Sequence, residues 1–220
     1  VGVPPRRVES LESEGEKTAA AANALVEGAR ELLSGREKAN MVMLRGFSQL
    51  PKLPNFGQTY RLNPAAIAAY PMYRGLAHIM GMEVIQTGKT FDDELDTLER
   101  HHQEHDFFYL HYKPADAAGE DGDFDAKVRT LEELDRHIPA LLDMKPDVFI
   151  VAGDHATPAI MASHSWHPVP FLLHSKLTLG EGVECFSERA LSTGSLGRFQ
   201  AEHIMLQAMS HADKLTKFGP

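Results

Sequence analysis

Asp147-Val148-Phe149-Ile150-Val151-Ala152-Gly153-Asp154-His155-Ala156-Thr157-Pro158 opens on an apolar run and closes on a polar turn that sets a carboxylate beside an imidazole. The run predicts a buried strand over 147–152. In open α/β sheets, ligand-binding groups gather in loops at the carboxyl ends of strands, so the turn that follows reads as part of a site. The same rhythm runs outward in both directions. Upstream it predicts a strand over 83–86, a helix over 91–103, a strand over 106–111 and a helix over 125–142. Downstream it predicts a strand over 169–173 and a closing helix over 198–211. Further back, Pro71 is suited to the first helical position, which places a strand at Ala65 to Ala69 and a helix at Met72 to Met80. Strands alternating with helices give an α/β class, a mostly parallel sheet flanked by helices.

The first quarter of the chain reads differently. Val1 to Arg7 is a Pro-rich coil, Ser13 with Glu16 fits a capping box, and apolar residues at helical spacing carry a helix over 13–34 to a C-cap at Gly35. Met41 to Leu44 reads as a short buried strand, and the Pro-rich stretch Pro51 to Gly57 marks a lobe boundary.

With 31 acidic against 22 basic residues and a formal net charge of −9, the chain lacks the clustered cations of a nucleic-acid surface, so a small molecule is the expected partner. A single cysteine, Cys185, excludes an internal disulfide and a thiolate metal cage and suits a reducing compartment, the cytoplasm. No window has the length and apolarity of a membrane span, and no signal-peptide pattern opens the chain.

Two loops at predicted strand ends are rich in ligating side chains. Lys113-Pro-Ala-Asp116-Ala-Ala-Gly119-Glu120-Asp121-Gly-Asp123 follows the strand at 106–111; Gly153-Asp154-His155, then His164-Ser165-Trp166-His167, follow the strand at 147–152. Carboxylates and imidazoles without thiolates suit Mn²⁺ or Zn²⁺ better than an all-oxygen Ca²⁺ cage. Adjacent Asp154 and His155 in an irregular turn would diverge and serve two neighbouring ions, the arrangement of a bimetallic clamp on a phosphoryl group. Each loop taken singly also fits a helix cap or a solvated acidic run. Other features carry less. His101, His102, Glu104 and His105 are not in HExxH order and read as solvent-facing. Gly88-Lys89-Thr90 lacks the leading glycine of a P-loop, and Glu83 stands there instead. Gly194 to Arg198 reads as an ordinary turn, and Trp166, Phe107 to Tyr109 and the nine methionines read as core.

The motifs Asp116-Ala117-Ala118-Gly119-Glu120-Asp121-Gly122-Asp123, Val151-Ala-Gly-Asp154-His155-Ala-Thr157-Pro158 and His164-Ser-Trp-His167-Pro-Val-Pro170 resemble, in this order, the C-terminal motifs of the archaeal-type cofactor-independent phosphoglycerate mutases of the alkaline phosphatase superfamily. Ala39-Asn40 to Gly46, Ala66 to Gly75 and Gly81 to Ile85 look like the same family.

The resemblance implies an alkaline phosphatase-like core, incomplete here, in which a serine carries the phosphoryl group between the two hydroxyls of 2- and 3-phosphoglycerate in glycolysis. Two divalent ions assist, Mn²⁺ first, with Zn²⁺ or Co²⁺ as substitutes. It implies Asp116, Glu120, Asp154, His155 and His164 as metal ligands and Arg45, Arg74 and Lys113 as substrate contacts. Glu120 departs from the pattern, which has histidine there. The family's nucleophilic serine and N-terminal metal aspartate are not found, so no catalytic nucleophile is assigned in this chain. It is expected to be a C-terminal portion, inactive alone. Residues 1–60 are then a remnant of an inserted substrate-binding lobe with its linker, and 61–220 the C-terminal part of the metalloenzyme core. The expected partner is a small phosphorylated metabolite, with neither nucleic acid nor membrane, and homo-oligomerisation stays open. The alternatives are a phosphatase, phosphonate hydrolase or sulfatase of the same superfamily, or a non-catalytic metal-binding domain.

Overall fold

A computed structural model describes residues 6–180 and 182–216; Val1 to Pro5, the greater part of the predicted N-terminal coil, lie outside the described residues. The chain divides into two compact units, Val1–Lys52 and Leu53–Pro220.

The first unit is built on α1 (Glu16–Leu33), preceded by a 3₁₀ turn at Ser13–Gly15. The predicted capping box does not form. Ser13 bonds its neighbour Glu14, and Gly15 is the N-cap without a side-chain bond. The C-cap is Ser34 rather than Gly35. Ala19 and Ala22 form the buried face, and Val8 is tied to the helix through the Asn23 side chain, with bonds of 3.0 and 2.9 Å. Leu25 and Leu32 are exposed. Met41 to Leu44 is not a strand: it has apolar content but no second strand in this unit to pair with.

The second unit runs α2 (Phe56–Tyr60), β1 (Pro64–Ala68), α3 (Pro71–Ile79), β2 (Glu83–Val84), α4 (Phe91–His101), β3 (Phe107–His111), α5 (Pro114–Glu120), α6 (Phe124–Asp143), β4 (Val148–Ala152), β5 (Phe171–Ser175), α7 (Glu188–Leu191) and α8 (Ile204–His211). β1 is the centre of a parallel sheet of order β2-β1-β3 and is wholly buried, as its run Pro-Ala-Ala-Ile-Ala requires of a strand covered on both faces. Ile67 anchors the core with Ile85, Leu98 and Leu141, against which Phe108, Leu110 and Phe149 pack. Burying a side chain such as Ile67 contributes about 1.5–3 kcal/mol. α4 starts on a capping box in which Thr90 and Asp93 bond each other's backbone amides.

Several expectations are corrected. β4 does not continue the parallel sheet; it pairs antiparallel with β5 in a second sheet, Val148 opposite Ser175 and Ala152 opposite Phe171. The connection from β4 to β5 contains no long crossover helix, only a 3₁₀ turn at Ala159–Met161, so a parallel return is not available to it. The acidic stretch after β3 is not a loop but α5, started by Pro114 at its first turn. The closing helix is shorter than 198–211, reaching from Ile204 to His211 after a 3₁₀ turn at Ala201–His203. Trp166 and several methionines, including Met43 and Met72, are exposed rather than core, while the His105 side chain is buried, not solvent-facing.

Candidate metal centre

The register of β1 on β3 sets Ala68 opposite His111, so both strands deliver their following segments to one end of the sheet. β3 leads through Lys113 into α5, whose first turn carries Asp116 and whose last residue is Glu120. β4 leads into the turn with Asp154 and His155, and an isolated bridge between Ala156 and Ser165 brings His164 back beside them. Gly119 makes this junction tight. A Cβ there would lie 2.3 Å from the Thr157 carbonyl oxygen, so only glycine lets α5 approach the turn so closely.

The five expected ligands meet in one network. His164 Nε2 lies 3.3 Å from Glu120 Oε1 and 3.9 Å from Asp116 Oδ1. The His155 and His164 rings stack with centroids 3.8 Å apart, and His155 Nε2 is 3.4 Å from Asp154 Oδ2. Asp154 and His155 therefore converge on each other instead of diverging. Lys113 donates to Asp116 Oδ2 and lies 3.5 Å from Glu120 Oε2. Of the other expected substrate contacts, Arg74 sits in α3 and forms no ion pair among the described residues. Arg45 belongs to the first unit, where it lines a cavity of about 810 Å³ with Arg6, Arg7 and Arg30.

Sequence reasoning missed two residues here. The buried Thr157 hydroxyl donates to Asp116 Oδ1 at 2.5 Å and lies 3.0 Å from His155 Nδ1. Tyr73, next to the expected Arg74, donates its phenol proton to Asp154 Oδ2. Its ring stacks on His111 at 3.6 Å. The only local signals are a hydroxyl two residues beyond His155 and an aromatic one turn into α3; neither announces a contact with a carboxylate far along the chain.

The electrostatics favour a cation. Three carboxylates, Asp116, Glu120 and Asp154, outnumber two ammonium groups, Lys113, which pairs with the first two, and Lys127, which donates to the Thr157 carbonyl. Burial opposes ionisation of Asp116, but bonds from Lys113 and Thr157, with the nearby His155, outweigh it and hold the carboxyl below its usual range. Burial likewise disfavours the Lys113 ammonium, yet Asp116 and Glu120 raise its pKa overall. Burial lowers the His111 imidazole, against the opposing charge of Asp154, and pushes the Tyr109 phenol up to about 12, helped by the same charge. One donor atom from each of Asp116, His155 and His164 lies within 4.8 Å of the others. Ligand atoms on one tetrahedral ion are roughly 3.4 Å apart at bond lengths near 2.1 Å, so small side-chain adjustments suffice. Oxygen and imidazole donors together fit Mn²⁺ or Zn²⁺.

Residues 16–211 match the family model described as Metalloenzyme superfamily. A probable 2,3-bisphosphoglycerate-independent phosphoglycerate mutase from Thermotoga neapolitana is 46% identical over 218 residues, covering 99% of this chain and 54% of that protein. A protein of the same description from Aquifex aeolicus is 42% identical over 220 residues, covering 100% and 54%. The chain thus spans about half the length of these curated relatives. Among solved structures, PH0037 protein from Pyrococcus horikoshii superposes with a TM-score of 0.82 at 26% identity, over 94% of this chain and 60% of that one. The cofactor-independent phosphoglycerate mutase from Thermoplasma acidophilum superposes with a TM-score of 0.61 at 24% identity, over 96% and 56%, a likeness of fold.

Proposed function

The chain belongs to the metalloenzyme superfamily, and from that premise we propose that it is the metal-binding C-terminal part of a 2,3-bisphosphoglycerate-independent phosphoglycerate mutase. The observation that carries this reading is the convergence of Asp116, His155 and His164, with Glu120 and Asp154 at its margins, in a network with an excess of negative charge. The likeness to bacterial proteins described as probable 2,3-bisphosphoglycerate-independent phosphoglycerate mutases supports phosphoglycerate chemistry, and the reading takes 2- and 3-phosphoglycerate as the substrate pair, with a place in glycolysis and in the cytoplasm. No helix among the described residues is long and apolar enough to cross a membrane. The 1–60 lobe remnant and 61–220 core are retained as domain assignments within the proposal.

In this reading, Asp116, Glu120, Asp154, His155 and His164 together hold two divalent ions, with Mn²⁺ preferred. Bound ions polarise the phosphoryl oxygens and neutralise charge that builds on them during transfer. The chain's own groups prepare the site. Tyr73 fixes the Asp154 carboxylate, and Lys113, already among the carboxylates, brings the cation that faces an incoming phosphate. Arg74 and Arg45 are carried as further phosphate contacts. The hydroxyls bonded to the ligands, those of Thr157 and Tyr73, are spent as donors to carboxylates, so the phosphoryl-accepting serine is assigned to the part of the relatives' length that this chain does not span.

Calorimetric titration of the chain with Mn²⁺ and with Zn²⁺ tests the reading, with an Asp154→Ala, His155→Ala double variant as control. Binding to the parent and none to the variant supports it, and equal behaviour of the two refutes it. In the full-length protein, interconversion of the two phosphoglycerates that requires added metal and is lost in Asp154→Ala tests the activity.

A further inference from the structure

Thr157 is buried to 3% exposure, so its hydroxyl meets protein and not water. It sits between two ligand groups, Asp116 on α5, 41 residues before Thr157, and His155 in the turn after β4, two residues before it. A hydroxyl has one proton to give. At 2.5 Å, that proton goes to Asp116 Oδ1, because a carboxylate oxygen can only accept. What remains to Thr157 Oγ1 is its lone pairs, so the 3.0 Å contact with His155 Nδ1 is satisfied only when the imidazole carries its proton on Nδ1. In neutral imidazole the lone pair is then on Nε2, the nitrogen that faces Asp154 Oδ2 at 3.4 Å.

We propose that Thr157 is a positioning residue that locks His155 in the Nδ1-protonated tautomer, presenting Nε2 to a divalent cation, and that couples His155 to Asp116 through one hydroxyl. The metal part of this rests on the metalloenzyme reading above; the tautomer part does not. Histidine ligands are commonly oriented by a partner on the second ring nitrogen, usually a carboxylate or a carbonyl. Here a carboxylate acts through an intervening hydroxyl. The hydroxyl's position is fixed independently of its own bonds, since the Thr157 carbonyl receives the Lys127 ammonium and the Gly119 backbone packs against it. A Thr157→Val side chain fills the same space and lacks the proton.

Long-range proton–nitrogen NMR of the ¹⁵N-histidine-labelled, metal-free chain at pH 8 reads the tautomer, with the His155 signals assigned by their loss in His155→Gln. We expect Nδ1-protonated His155 in the parent and in Thr157→Ser, and a shift toward the Nε2-protonated form in Thr157→Val. Mn²⁺ affinity by calorimetry should fall about 10- to 100-fold in Thr157→Val and be restored in Thr157→Ser. An Nε2-protonated parent, or a Thr157→Val chain with the parent's tautomer, overturns the proposal. So does a Thr157→Val chain that keeps the parent's affinity. If the parent binds no metal, the metalloenzyme reading fails, while the tautomer spectra still decide the role of Thr157. Circular dichroism of the two variants separates a lost hydroxyl from a lost fold.

Discussion

Tyr73 and Asp154 meet across 81 residues of chain, the phenol of α3 donating to the carboxylate that follows β4. The bond is supported from behind, since the Tyr73 ring lies flat on His111 and within 6.5 Å of Tyr109. Burial, with the Asp154 charge, drives the Tyr73 pKa upward, so the phenol stays a proton donor through the working pH range. Tyr73→Phe keeps the stacked ring and removes the donor. We expect Mn²⁺ affinity to drop about 10-fold or more with little change in thermal stability, measured by calorimetry and by thermal unfolding of the metal-free chain.

Glu120 faces His164 at 3.3 Å and gives the site an oxygen donor where imidazole would shift it toward nitrogen. Softer nitrogen ligation favours Zn²⁺ over Mn²⁺. Competition titrations of Glu120→His should therefore show the Zn²⁺-to-Mn²⁺ preference rising by on the order of tenfold. An unchanged ratio would remove Glu120 from the ligand set.

Gly119 stands where α5 touches the Thr157 carbonyl. A methyl group there, in Gly119→Ala, must push the helix away from the turn, and overpacking of this kind costs about 1–3 kcal/mol. Because Asp116 rides on the same helix, metal affinity should fall together with the denaturant midpoint. A variant as stable as the parent, with undiminished affinity, would mean the junction is slack.

Glu94 is nearly inaccessible; one carboxylate oxygen accepts from the Ala69 amide at 2.7 Å and the other has no partner. Burial raises its pKa from 4.5 to about 7, against a small opposing effect of that amide bond. The folded chain thus binds a proton more tightly than the unfolded one between these values. This contribution to stability is complete below about pH 4.5 and is lost as pH rises through 7. Glu94→Gln should flatten the decline of the denaturant midpoint between pH 5 and pH 8 and leave the variant more stable than the parent at pH 8.

Much of the second unit was legible because its elements carry strong local signals. Pro71 opens α3, Thr90 and Asp93 cap α4, and the apolar run before Gly153 is β4. What was not legible lay in pairing. Val148 to Ala152 has the same composition whether its neighbour is parallel or antiparallel, and only the course of the chain to β5 decides. Met41 to Leu44 has strand-like residues without a partner. Pro114 was a helix-start signal, but the acidic residues after it suggested a solvated loop. At the site, Asp154 and His155 stood out by their chemistry. Tyr73 and Thr157 did not, because a tyrosine or a threonine reveals nothing of the distant carboxylate it bonds.

The sheet of β2, β1 and β3 and the pair β4–β5 share no backbone ladder among the described residues. Asp116 follows the first and Asp154 the second, so any slip of one layer past the other changes the separation of the two carboxylates directly. An ion gripped from both sides acts as a rivet through two plates and opposes that shear. Loosening the layers and releasing the ion then lie along a single coordinate, approached from opposite ends.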